Sequence, residues 1–345
     1  MSSSRWEKVK QRTLEGHASN KIKRFYKKKD PVKILIYNNL CPGDNLCMEP
    51  SLRMIQTQYP GRFLLDVATF HHAIFENHPH LTKLEPKDPD VIHLWSTYPL
   101  INKSHRPIHF MEGYLDWFRQ QLDIDLVLDT NRPQIYLTDK EKSTKIMEGK
   151  YIVGNMGWKS DYTIKRPSIP CIQEVVNHFK SKLTFVQIGL NKKGHHHPPL
   201  DNVVNMIGKT NLRQLILLCY FAQAGMGTIT CIQHMFAAFE KPYCVFHGAR
   251  EPITWTAYPL QKVFSNIGSL ECCRFGPCWK NRIVPLNDGD KKDKRLCVLP
   301  VLDTDDRPIA TCMQNIKSQH VIDAIEAWID GGIIETNNGG GMVSI

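Results

Sequence analysis

The chain has 345 residues, 42% of them hydrophobic and 9% aromatic, with a formal net charge of +10. That length favours two domains over one core, the composition is that of a soluble globular protein, and no apolar run approaches the roughly 18 residues of a membrane-spanning helix. Eleven cysteines behind an N-terminus that lacks an apolar signal segment argue for reduced thiols or metal ligands, not a disulfide framework.

The charge is unevenly placed. Residues 1–33 hold 11 Lys/Arg against 3 Asp/Glu, a net of +8, which leaves +2 for the rest of the chain. Residues 1–31 therefore read as a basic arm, either a solvated tail or a segment that touches anionic lipid headgroups. Nucleic acid is disfavoured as a partner, because no aromatic platform accompanies the basic residues. The expected location is cytoplasmic, with a peripheral contact to the inner membrane through the arm.

Residues 32–37 form a short apolar run suited to a central parallel strand. A loop over 38–44 follows, then an amphipathic helix over 48–59. Further strands are predicted at 63–69, 90–95, 108–110 and 125–128. The polar stretch 129–150 closes a first lobe, giving 32–148. A second lobe over 149–316 opens with a strand at 150–154, a helix at 171–182 and a strand at 183–189. A Gly/His/Pro loop (191–199), a strand (202–205) and a helix (207–222) come next. Then follow a β-branched strand at 228–232, a helix at 233–240, a strand at 243–246 and a polar loop at 247–252. A last helix (318–329) and a Gly-rich tail occupy 317–345. The alternation predicts an α/β fold with doubly wound parallel sheets, which bind ligands beyond the carboxyl ends of their strands.

The stretch around Thr230 reads as a helix N-terminus facing a strand-end loop, which suits a phosphorylated ligand. His195, His196 and His197 are consecutive and cannot all face one ion, so their loop reads as nucleotide-facing and not as a metal site. Cys272, Cys273, Cys278, Cys297 and Cys312 crowd the C-terminal part of the second lobe. Cys273, Cys278, Cys297 and Cys312 would suffice for a structural zinc or iron site, with buried free thiols as the other reading.

Several segments together resemble the family nine glycosyltransferases, the bacterial ADP-heptose heptosyltransferases. They are Pro42-Gly43-Asp44 after the first strand, the helix that runs to Tyr59-Pro60, Gly208-Lys209-Thr210-Asn211-Leu212, and Thr230, His234, Ala237, Ala238, Lys241-Pro242 and the 248–252 loop in order. The resemblance covers about 32–330 and marks a divergent branch with a Cys-rich C-terminal segment. It implies the GT-B architecture: two Rossmann-like lobes with a cleft between them, acceptor on the first and nucleotide-sugar donor on the second. It also implies that the last helix returns to the first lobe.

The implied activity is inverting transfer of a sugar, heptose by preference, from a nucleoside diphosphate donor to a hydroxyl of a glycan, a lipid-linked or a protein acceptor. No cofactor takes part in that chemistry. Asp44, on the loop after the first strand, is the implied general base, with a helix cap as its alternative. Lys165 matches the cation that neutralises the departing diphosphate, with Arg166 as its understudy. Gly43, Asn155, Lys165, Thr230, Cys231, His234, Gly248 and Glu251 are the implied donor-site residues, Glu251 on a ribose or sugar hydroxyl. One departure matters: Ile229-Thr230-Cys231 stands where many relatives keep Asp-Thr-Gly. The missing carboxylate leaves the sugar open and favours an alternative reading, a nucleotide-sugar-binding protein without turnover.

Overall fold

The structure is a computed structural model that describes residues 31–96 and 105–329. Residues 1–30 of the basic arm and 330–345 of the tail lie outside the described residues. The chain divides into two units between Ser143 and Thr144, a few residues before the expected boundary at 148/149.

The first unit is a parallel three-stranded sheet of order β2-β1-β3, with Ile34 of β1 (Val32–Tyr37) opposite Leu65 of β2 (Phe63–Ala68) and Ile92 of β3 (Ile92–Trp95). Helix α1 spans Pro42–Gln58 and starts six residues before the predicted helix. Proline suits a first helical turn, where its missing N–H has no intrahelical partner to lose, and the Asp44 carboxylate accepts the Cys41 amide at 3.1 Å. Asp44 is thus in the first turn of a helix, not on a loop. The helix passes through Pro50 because Met48, Leu52 and Ile55 on either side are fully buried. Packing outweighs the lost backbone bond.

Two predicted strands of this unit are absent. Residues 108–110 instead lead into α2 (Phe110–Leu122), where the His109 ring accepts the Met111 amide at 3.1 Å. Residues 125–128 form no ladder; side chains satisfy their backbone. Tyr59 donates to the Asp125 carbonyl at 2.7 Å, and the Gln58 amide group both donates to Val127 (2.6 Å) and accepts from it (2.9 Å). A short charged helix, α3 (Asp139–Ser143), ends the unit.

The second unit runs β4 (Tyr151–Asn155), a two-residue β5 (Trp158–Lys159), a 3-10 turn (Ser160–Lys165), α4 (Ile169–Phe179) and β6 (Thr184–Gln187). It continues through β7 (His195–His196), β8 (Val203–Asn205), α5 (Leu212–Phe221), β9 (Ala224–Thr228) and α6 (Cys231–Ala238). β10 (Tyr243–Gly248) and β11 (Gln261–Ser265) complete the main sheet. A hairpin of β12 (Pro300–Leu302) and β13 (Pro308–Ala310) leads to α7 (Thr311–Gln314) and α8 (Ser318–Ile329).

The main sheet is parallel with order β11-β10-β9-β4-β6-β8. The chain enters at β4, builds outward through β6 and β8, then returns to lay β9, β10 and β11 on the other side. That is the doubly wound dinucleotide-fold order, and its direction reverses between β4 and β9. Its core includes Ile152, Val175, Phe179, Phe185, Met226, Phe246 and Phe264. Helix α8 packs on α4 of the same unit; Glu326 meets His178 at 2.9 Å and Ser318 donates to Glu174 at 2.5 Å.

The strand predicted over 228–232 lies earlier, at Ala224–Thr228. Its two interior glycines are demanded by close packing. A Cβ on Gly225 would stand 2.5 Å from the Phe236 ring, and one on Gly227 2.4 Å from the Asn155 carbonyl oxygen. The histidine loop is also more ordered than expected: His196 pairs with Trp158 across a β5–β7 bridge and stacks on its ring at 5.5 Å.

Candidate functional site

Open α/β sheets bind ligands beyond the carboxyl ends of the strands where the order reverses, and in the second unit those strands are β4 and β9. Asn155 ends β4, and its Nδ2 donates to Thr230 Oγ1 at 3.5 Å, just past the end of β9. Thr230 occupies the N-cap position of α6 with extended backbone angles, yet its side chain makes no capping bond. Cys231 is the first residue of the helix, so the positive end of α6 opens between Asn155 and Thr230.

Cations and a carboxylate join from two further elements. Lys165, at the end of the 3-10 turn after β5, places Nζ 2.8 Å from Glu251 Oε1. Arg250 bonds the other oxygen of the same carboxylate and donates to Asn281 Oδ1 at 3.1 Å. The guanidinium carbon of Arg250 lies 5.1 Å from the Tyr162 ring, as does Lys292 Nζ. Glu251 is buried, which by itself would raise its pKa, but Lys165 and Arg250 hold it down to about 2. Two cations thus share one permanently charged carboxylate.

Gly248 gives this loop its shape. Its φ of +66° is left-handed, and a Cβ there would meet Met313 Sδ at 2.6 Å. The Cys-rich segment supports the loop from outside: Cys278 and Trp279 donate their amides to the Ala249 and Arg250 carbonyls, each at 3.0 Å.

His234 lies on α6, buried, with Nδ1 2.7 Å from the Tyr258 hydroxyl. Burial, with a smaller push from Lys165, lowers its pKa to about 4, so the ring is neutral at pH 7. This geometry fits a satisfied core histidine. His247, at the end of β10, is also buried, and burial lowers its pKa against the pull of Glu251.

Arg166 is no understudy for Lys165. Its side chain is 3% exposed, bonds Asp305 at 2.8 and 2.9 Å, and donates to the Pro308 carbonyl at 2.6 Å. It fastens the β12–β13 hairpin to the domain. Gly43 and Asp44 belong to the first unit, while Asn155, Lys165, Thr230, Cys231, His234, Gly248 and Glu251 all belong to the second.

The five C-terminal cysteines gather in one corner of the second unit's core. Burial, then the neighbouring thiols, raises the pKa of Cys272 to about 11, and burial likewise raises those of Cys278, Cys297 and Cys312. Among the described residues, however, no three His, Cys, Asp or Glu side chains are arranged to hold a metal ion. As they stand, the thiols do not form a made metal site.

Sequence reasoning found the residue types of this site but missed Arg250 and Tyr162. Arg250 sits within the loop it singled out, and a cation beside an expected phosphate site was the available signal.

No protein-family model matches the chain, and no curated protein matches it. Solved structures do. The dodecameric iron-containing heptosyltransferase TibC of enterotoxigenic E. coli, in complex with ADP-D-β-D-heptose, superposes with a TM-score of 0.62 at 15% identity. That match covers 88% of this chain and 77% of TibC. A family nine glycosyltransferase from Veillonella parvula gives 0.59 at 11% identity over 88% of this chain and 99% of its own. The E. coli ADP-heptose LPS heptosyltransferase II gives 0.57 at 13% identity over 87% and 99%. The chain has an α/β fold of the GT-B type, shared with these glycosyltransferases.

Proposed function

We propose that the chain is an inverting glycosyltransferase that moves a sugar, heptose by preference, from a nucleoside diphosphate to a hydroxyl of a glycan, a lipid-linked or a protein acceptor. The observation that carries this reading is the pairing of Lys165 and Arg250 on the single carboxylate of Glu251, in the domain whose strand order reverses beside Thr230 and α6. Such a place has an excess of positive charge and a helix N-terminus, the requirements of a diphosphate. The fold shared with a heptosyltransferase solved with ADP-D-β-D-heptose supports the same donor class.

In this reading Lys165 and the α6 terminus stabilise the negative charge that builds on the departing diphosphate, so the leaving group needs no added cation. Asp44 takes the acceptor hydroxyl's proton as it attacks. Its bond to the Cys41 amide does not exclude that role, because a carboxylate offers about four acceptor positions. Asn155 and Thr230 position the phosphates, Cys231 contributes at the helix start, and Gly248 allows the loop to approach. His234 supports the helix from behind. We further assign Cys273, Cys278, Cys297 and Cys312 to a structural zinc or iron ion, which would have to draw the thiols together. No catalytic step passes through it.

The test is transfer and hydrolysis with a panel of nucleotide sugars, wild type beside Asp44→Asn. Loss of a general base should lower turnover about 100- to 10,000-fold. Equal turnover by both proteins rejects the base. Donor binding without turnover in the wild type would favour a nucleotide-sugar-binding protein, the reading that Ile229 supports. A protein that neither binds nor turns over any donor rejects the function.

A further inference from the structure

Arg250 carries more than a surface role. Its side chain is 16% exposed and Glu251's is 7% exposed, so their charges interact through little water. Tyr162 lies under the guanidinium and Asn281 holds one of its ends. Its Nε, buried, has no hydrogen-bond partner among the described residues. Both oxygens of Glu251 are occupied by cations, Oε1 by Lys165 and Oε2 by Arg250. Counted as charges, Lys165 and Arg250 against Glu251 leave +1, with the Nε–H still unmatched. Lys165 is 26% exposed, so this partly buried surplus is open to solvent on one side, where an anion can complete it.

We propose that Arg250 is a second ligand of the donor's diphosphate and that Glu251 is its placeholder, not a ligand of a ribose or sugar hydroxyl. The proposal rests on the donor reading above. Without ligand, Glu251 keeps the ammonium and the guanidinium in position. When the donor arrives, phosphate oxygens take over the hydrogen bonds that Glu251 held. An ammonium is a point charge, whereas a guanidinium presents a planar fork that can bond oxygens of two phosphoryl groups together. Arg250 would therefore make the site selective for a diphosphate over a monophosphate.

Calorimetric titration of the full chain with ADP, AMP and inorganic pyrophosphate tests this. Arg250→Ala should weaken ADP and pyrophosphate about 10- to 100-fold and AMP by no more than about threefold. Glu251→Gln should tighten pyrophosphate binding, because a competing anion is gone. A ligand of a hydroxyl would instead weaken ADP and leave pyrophosphate unchanged. Arg250→Gln, which keeps the side-chain stem, serves if the alanine variant does not fold, and the same selective loss is expected. Equal losses for ADP and AMP, or unchanged pyrophosphate binding, overturn the proposal. A wild-type protein that binds pyrophosphate but no nucleoside diphosphate would reject the donor reading and leave the clamp standing. One that binds neither rejects both.

Discussion

His234 makes the stability of the second unit depend on pH in a way that can be worked from its surroundings. The ring is buried against Tyr258, and its pKa falls from 6.5 to about 4, which corresponds to ~3 kcal/mol of preference for the neutral form. A histidine depressed on folding contributes its full stability above the unfolded pKa and loses it as pH drops toward the folded one. At about pH 5 the unfolded ring is almost wholly protonated and the folded ring is not, which removes ~2 kcal/mol of the stability present near pH 7.5. Urea unfolding midpoints for wild type and His234→Gln, measured in steps across that range, isolate the contribution. Gln can keep a hydrogen bond to Tyr258 but cannot titrate. The difference between the two proteins should shrink by ~2 kcal/mol from about pH 7.5 to 5, whatever His247 adds to both. Parallel profiles would refute the reasoning.

Two further outcomes follow from neighbouring features. Arg166→Met should strip Asp303 and Asp305 of their buried partner and cost about 3 kcal/mol in unfolding free energy, whereas Lys165→Met should weaken nucleotide binding with a far smaller change in melting temperature. Exchange of those two phenotypes would show that the understudy reading of Arg166 was right. Metal analysis of protein made under reducing, metal-replete conditions should find zinc or iron in the wild type and a clear loss in Cys278→Ser. An empty wild type ends the metal assignment.

The fold was legible wherever local chemistry and packing agree. β1 is legible to the residue because its apolar run, broken only by Lys33, is buried almost throughout. β9 was misplaced because its residues, Ala-Gly-Met-Gly-Thr, have poor strand propensity; Phe236, Tyr243 and the Asn155 carbonyl select the glycines, and none of these is visible in a local window. The start of α1 was hidden because Pro42-Gly43 reads as a breaker in isolation and as a first turn once Asp44 reaches back to Cys41. In the site, Thr230, Lys165 and Glu251 were identifiable as residue types at suggestive places. The ion pair that joins Lys165 to Glu251 spans 86 positions, and no spacing rule reaches that far. Arg250 is next to Glu251, so a cation in that loop is visible in the sequence; its sharing of the carboxylate with Lys165 and its seat on the ring of Tyr162 are not.

The amides of Cys278 and Trp279 are bonded to the carbonyls of Ala249 and Arg250, and this ties together two stretches that are separate along the sequence. The Cys-rich segment acts as a splint laid along the loop that bears Arg250 and Glu251. A chain in which this segment were shortened would have to find new donors for two backbone carbonyls, or let the loop drift. Substitutions around residue 278 should therefore act on the placement of Arg250 and Glu251 before they are felt as unfolding.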